Sequence, residues 1–169
     1  YFAEKGMAGA AANNDFQTLA NAHFILGDIY ANSGRYPEAI AEYLKARPHR
    51  EKVGNPFFII SDLYAISELY NKMGQYRKGV EAGLEGLKIA EQYDMLLKFE
   101  GVYQSLAHNY EGLGDYKNAS KYYSLWAVTK DSVYRNSTAN AIAEVQTKYE
   151  TEKKQQQIEL QNVQLAEQR

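Results

Sequence analysis

The chain has 169 residues, enough for one domain of ordinary size, and its 19 basic and 21 acidic residues give a formal net charge of −2. A charge so nearly balanced argues against a nucleic acid or an anionic membrane surface as the partner. Cysteine is absent, which excludes disulfides, thiolate metal sites and cysteine nucleophiles, and no apolar run of about 18 residues that could cross a membrane occurs.

A repeat with a period of 40 residues organises the sequence. Four columns of similar residues follow this interval: Leu26, Ile66 and Leu106; Tyr30, Tyr70 and Tyr110; Gly34, Gly74 and Gly114; Tyr36, Tyr76 and Tyr116. A fixed period of this length is typical of solenoids, which mostly present binding surfaces. The repeat therefore favours an interaction protein over an enzyme.

In chain order, residues 1–15 are predicted to be the second helix of a truncated repeat. Because the chain opens at Tyr1 inside this helix, we expect it to be a fragment of a longer protein. Residues 16–55 form a complete repeat, whose first helix should end at a left-handed Gly34. We expect Pro48 to end its second helix, which leaves residues 48–56 as a loop.

Residues 56–95 and 96–133 follow as two further repeats on the same plan. The second helix of the middle repeat carries Gly79, Gly83 and Gly86, although each glycine weakens a helix by about 1 kcal/mol. This spacing predicts that a neighbouring helix approaches closely on that face. The tyrosines of the repeat columns are predicted to lie in the core.

Residues 134–169 are predicted to form a helical connector that begins at an N-cap at Ser137 or Thr138. Its apolar stripe is thin, so the helix needs a partner, either its twin in a coiled coil or the array itself. The residues predicted to make a homodimer contact are Ile142, Val145, Tyr149, Ile158, Val163 and Leu165.

The sequence predicts neither a catalytic site nor a metal or cofactor site. His23, His49 and His108 do not form the two-histidine spacing of a zinc site. A phosphate-binding glycine loop, a nucleophile elbow and a fixed carboxylate pair are also absent from the sequence. We expect His23 to be a partly buried packing residue and His49 to lie in the loop.

The repeat columns resemble the tetratricopeptide repeat (TPR) over about residues 1–130. The first complete unit matches at Gly27, Tyr30, Gly34, Tyr36, Ala39, Tyr43 and Ala46. The period of 40 exceeds the usual one of about 34, which implies longer helices. The resemblance implies an all-α fold, a right-handed α-solenoid of helix–turn–helix repeats followed by a long C-terminal helix.

The resemblance also implies a concave groove, lined by the first helix of each repeat, that takes an extended peptide or a partner helix. Carried over position by position, the groove residues are Asn21, Phe24, Asp28, Asn32, Ser61, Tyr64, Glu68, Asn71, Lys72, Gln104, His108 and Glu111. This set is polar and aromatic, and it is slightly acidic. The lysine and asparagine clamp that some TPRs use for a peptide C-terminal carboxylate is not reproduced.

The junction at residues 130–154 is similar to one in bacterial sensor proteins, in which TPRs precede a helical linker. In those proteins a membrane span follows, and then a histidine kinase or helix-turn-helix output domain. This likeness implies the periplasmic domain of an inner-membrane two-component protein, whose connector pairs with its twin. The alternative is a cytoplasmic TPR scaffold that lacks the span and the kinase.

Overall fold

The computed structural model describes residues 9–167, apart from the side chains at 96, 98–99, 133, 136–142, 144, 148–149, 152, 160 and 162–167. Residues 9–12 are helical. The following helices are α1 (Phe16–Asn32), α2 (Tyr36–Val53), α3 (Pro56–Lys72), α4 (Tyr76–Gln92), α5 (Leu96–Gly112) and α6 (Tyr116–Glu167). The predicted all-α solenoid of helix–turn–helix repeats, followed by a long C-terminal helix, is confirmed.

Each of the three turns inside a repeat is built on a glycine in the left-handed conformation. The φ angles are +74° at Gly34, +69° at Gly74 and +74° at Gly114. The amide after each glycine donates to the carbonyl of the column tyrosine five residues earlier, as Gln75 N does to Tyr70 O at 2.9 Å. This is the Schellman arrangement, so the glycine and tyrosine columns mark one recurring helix end.

The prediction that Pro48 ends a helix is wrong, because α2 continues through it to Val53. Proline removes one backbone hydrogen bond, but the buried side chains of Ala46 and Arg50 hold the helix on both sides of it. The helix instead ends at Gly54, where φ is +74°, and the predicted loop at residues 48–56 shrinks to Gly54 and Asn55. Asn55 then caps α3 by accepting from Phe57 N at 3.1 Å.

The prediction that a new helix begins at Ser137 or Thr138 is also wrong. The α6 backbone runs without interruption from Tyr116 to Glu167. Neither proline nor glycine occurs in this segment, so nothing in it breaks the helix.

The core consists of clusters that each join neighbouring helices along the array. One cluster contains Ala39, Ile40, Tyr43, Ile66, Leu69 and Ala82, from α2, α3 and α4. The next contains Ile60, Val80, Leu87, Ala90, Val102, Leu106, Ala107 and Tyr122, from α3, α4, α5 and α6. Each repeat is therefore stabilised by its neighbours, as in a solenoid.

The glycines of α4 allow α5 to approach closely, as predicted. A Cβ added at Gly83 would lie 2.7 Å from Leu106 Cδ2, and one at Gly79 would overlap the side chain of Asn109. At Gly86 the nearest atom, Leu63 Cβ, would lie at 3.5 Å, which is ordinary contact. Two of the three glycines are thus required by the packing of a neighbouring side chain.

The chain divides into two compact units, residues 1–129 and 130–169. The predicted division into an array (1–133) and a connector (134–169) stays a prediction. So does the truncated repeat at residues 1–15, since residues 1–8 lie outside the described part. Among the described helices, none is long and apolar enough to cross a membrane.

Candidate functional site on the first helices

The predicted groove residues all lie on the first helices α1, α3 and α5, which we call the first-helix surface. None of them is buried, so every one reaches the surface at least in part. Helices α3 and α5 pack directly against each other. The parts of this surface on α1, α3 and α5 differ, however, in the contacts that their side chains make within the molecule.

At α1 the predicted groove side chains make contacts within the molecule. Asp28 Oδ1 accepts from the Tyr43 hydroxyl at 2.6 Å, and burial together with this bond raises the pKa of Tyr43. The Phe24 ring lies 5.4 Å from the Tyr43 ring. Gly27 makes room for Tyr43, because a Cβ at this position would lie 2.5 Å from its ring. Asp28, Phe24 and Gly27 therefore serve the packing of Tyr43 within the molecule.

A buried arginine links α1, α2 and α3 behind this surface. Arg50 is 2% exposed, and it donates to Asn21 Oδ1 at 2.9 Å and to Asp62 Oδ2 at 3.3 Å. Its guanidinium lies 4.4 Å from the centre of the Phe58 ring. Burial raises the pKa of Asp62 to about 6, and the charge of Arg50 opposes that shift. Sequence reasoning missed this cluster because it placed residue 50 in a loop.

A cleft of about 270 Å³ lies between α3 and α5. It is lined by the predicted groove residues Ser61, Tyr64 and Gln104, and by four that were missed, Ile60, Leu97, Glu100 and Gly101. Burial raises the pKa of Tyr64, and the charges of Glu68 and Glu100 raise it further. Glu100 precedes Gln104 by one helical turn, so the helical spacing of the sequence was enough to predict Glu100 as a residue of this surface.

An aromatic cluster with acidic neighbours joins α5 to α6. The ring of His108 lies 6.0 Å from that of Tyr123 and 6.3 Å from that of Trp126. His108 Nδ1 is 3.7 Å from Glu68 Oε1. The Tyr123 hydroxyl donates to Glu111 Oε2 at 2.6 Å, which raises the pKa of Tyr123 to about 12. The sequence did not predict Tyr123 and Trp126 as site residues, because the groove positions implied by the TPR resemblance lie only on the first helices. These two residues lie on α6.

Models of the tetratricopeptide repeat match residues 20–47 and 101–125. The chain contains tetratricopeptide repeats. Such repeats are protein-interaction modules, so the array is a TPR interaction domain.

Two solved structures resemble the TPR array in fold. The TPR domain of Arabidopsis FLU has 16% identity and a TM-score of 0.66, and the match covers 69% of this chain and 98% of that domain. Aspartyl phosphate phosphatase F from Bacillus subtilis has 20% identity and a TM-score of 0.65, with 69% of this chain and 30% of the phosphatase covered. At these identities the likeness shows the fold alone. No curated protein sequence matches the chain.

The last TPR differs from the first two in one tyrosine of the repeat columns. Tyr76 packs on Gly112 of the following repeat, where an added Cβ would overlap its ring. Tyr116 is 71% exposed, so the prediction that all the column tyrosines lie in the core is wrong at this position. Within the described residues, no further first helix follows α6 to cover it.

The histidines of the first TPR form a packing cluster. His23 Nδ1 lies 2.7 Å from Glu42 Oε2, and the rings of His23 and His49 stack at 5.9 Å. His49 lies in α2, so its predicted position in a loop is wrong. Within the described part of the chain, no group of three or more potential ligands could hold a metal ion.

The predicted contact residues of the connector are described only in part. Val145 is 67% exposed and Ile158 is 50% exposed. The side chains of Ile142, Tyr149, Val163 and Leu165 lie outside the described residues. The homodimer stays a prediction.

Proposed function

We propose that this TPR domain binds a peptide or a segment of a partner protein on its first-helix surface, and that it is the sensor domain of a bacterial membrane-bound two-component protein. The observation that carries the proposal is the helix α6, which begins as the second helix of the third TPR and continues to Glu167. One end of this helix meets the candidate binding surface, and the other reaches the connector.

The contacts of α6 suggest how binding could be relayed. Tyr122 of α6 is buried in the core, while Tyr123 and Trp126 lie against His108 of the first-helix surface. A ligand that contacts His108 therefore also acts on side chains of α6. If the ligand binds more tightly to one arrangement of these rings than to another, it shifts the equilibrium toward the α6 position that goes with the favoured arrangement. The size of the shift is set by the ratio of its affinities for the two arrangements.

On this proposal the domain is periplasmic and belongs to an inner-membrane protein. The membrane span and the output domain, a histidine kinase or a helix-turn-helix module, would lie outside this chain. The likeness of residues 130–154 to the junction in such sensors supports the placement. The connectors of two copies would pair, and the exposed Val145 and Ile158 supply apolar surface for that contact.

Sedimentation equilibrium of the 169-residue chain tests the connector. We expect a dimer that Ile158→Glu dissociates, because a charge at an apolar contact is costly. Gln157→Glu, at the neighbouring exposed position, is the matched control and should leave the dimer intact. A monomer at every concentration would contradict paired connectors and favour a cytoplasmic TPR scaffold.

Selection from a displayed library of random linear peptides tests the binding surface. We expect enriched peptides whose binding is lost in Tyr64→Ala, on the first-helix surface, and kept in Leu84→Ala, on the second helix of the same repeat. Circular dichroism should show that both variants keep their helical content. If no selected peptide depends on the first-helix surface, the proposed binding function is wrong.

A further inference from the structure

We infer that the cleft between α3 and α5 is a subsite for the arginine side chain of a bound peptide. The inference rests on the proposed binding function and adds the chemistry of the ligand.

The shape of the cleft suits a single long side chain. Its volume is about 270 Å³, and its walls are one face of each helix, with Ser61 and Tyr64 opposite Glu100 and Gln104. At Gly101 the two helices come close together, since a Cβ at this position would lie 3.3 Å from Tyr64 Cε2. The absence of a side chain there lets the aromatic ring lie close to the backbone of α5.

The described residues that line the cleft carry a net negative charge. Of its described lining residues, Glu100 is a carboxylate and none is cationic. Glu68 lies one helical turn from Tyr64, and the charges of both glutamates raise the pKa of the Tyr64 phenol. The two carboxylates therefore act together on the space beside this ring, where they favour a cation.

The cleft combines the three kinds of group that recognise a guanidinium. A carboxylate at Glu100 can accept two parallel N–H bonds, and the aromatic ring of Tyr64 can stack on the planar cation. The Gln104 amide and the Ser61 hydroxyl add oxygen acceptors on opposite walls. Lysine supplies the charge but neither the plane nor the paired donors, so arginine is the better fit.

The peptides selected from the displayed library provide the test. Each arginine in an enriched peptide is replaced by citrulline, which has nearly the same shape and no charge, and binding is measured by titration calorimetry. We expect enriched peptides to share an arginine and its replacement to weaken binding by about tenfold, as lost charged hydrogen bonds do.

Variants of the protein then assign the effect to the cleft. Glu100→Gln should weaken binding of the arginine peptide by about tenfold and leave binding of the citrulline peptide unchanged. Glu81→Gln, at an exposed position on α4, is the matched control and should bind like wild type. Unchanged thermal unfolding of Glu100→Gln excludes a loss of fold as the cause.

The outcomes separate the inference from the proposed function. If selected peptides depend on Tyr64 but show no preference for arginine over citrulline, the subsite is wrong and the binding surface stands. If the effects of the citrulline replacement and Glu100→Gln on the free energy of binding are additive, the subsite is likewise contradicted. Additivity would show that the arginine does not contact Glu100. If no peptide depends on the first-helix surface, the proposed function and the subsite fall together.

Discussion

The backbone of Gly79 occupies the space beside the amide of Asn109, so α4 and α5 meet where only a glycine fits. Asn109 is fully buried and donates to Ser105 O at 2.8 Å and to Ser67 Oγ at 3.2 Å. The Ser67 hydroxyl in turn donates to Gly79 O at 2.8 Å. One buried polar network thus joins α3, α4 and α5.

Gly79→Ala is expected to lower the free energy of unfolding by about 1–3 kcal/mol. Overpacking against Asn109 costs more than the roughly 1 kcal/mol that alanine contributes to helix stability. Urea unfolding followed by circular dichroism measures the change. Gly9→Ala is the matched control, since an added Cβ meets nothing within 4 Å there and should be neutral or slightly stabilising. A Gly79→Ala variant as stable as wild type would contradict the close contact.

The loss of unfolding free energy caused by Gly79→Ala should be smaller in a protein that already carries Asn109→Ala, because the clashing side chain is then absent. A double-mutant cycle on Gly79 and Asn109 measures this coupling. Additive effects of the two substitutions would show that the clash is not the cause.

The buried Asp62 should make stability depend on pH. Its folded pKa of about 6 lies above the ordinary value of 3.8, so between these values the folded state binds more protons than the unfolded one. Stability contributed by this group is present below about pH 4 and is lost as the pH rises through 6, by about 1–3 kcal/mol in total.

Asp62→Asn should remove that pH dependence, so its stability relative to wild type improves as the pH rises from 4 to 7. Unfolding in urea across this range provides the measurement. Asp131→Asn, at an exposed position on α6, is the matched control. If the difference in the free energy of unfolding between Asp62→Asn and wild type stays constant with pH, the raised pKa of Asp62 is contradicted.

The equivalent tyrosines Tyr76 and Tyr116 should respond differently to truncation. Tyr76→Ala is expected to cost about 2 kcal/mol, because its ring packs on Gly112 of the next repeat. Tyr116→Ala should change stability by less than about 0.5 kcal/mol, because the side chain is 71% exposed. Thermal unfolding of both variants makes the comparison. Equal losses would show that Tyr116 is covered in solution.

Gly74→Ala tests the helix end without any change in packing. An added Cβ would meet nothing within 4 Å, so the cost comes only from the left-handed φ of +69° and should be about 1 kcal/mol. Gly74→Asn is the matched variant and should cost less, because asparagine tolerates this conformation. Chemical unfolding measures the free energy of unfolding of both variants. If neither substitution changes it, the left-handed conformation of Gly74 does not limit which residue can stand there.

The features of the fold that could be predicted from the sequence are local. The period of 40, the glycine turns and the end of each first helix follow from residues within a few positions of one another. The left-handed φ of Gly34, for example, needs only the missing Cβ. The resemblance to the TPR rested on these positions, and residues 20–47 and 101–125 match models of that repeat.

Tertiary structure alone decided the rest, because contacts between distant residues outweigh local preferences. Pro48 lies inside a helix since Arg50, two residues later, is held by Asn21 and Asp62. Packing against Tyr43 binds Phe24 and Asp28 within the molecule, whereas the approach of α3 to α5 brings Glu100 beside Tyr64. Helical spacing places a side chain on a face, but only the neighbouring helix determines whether that side chain is covered, paired or free to bind.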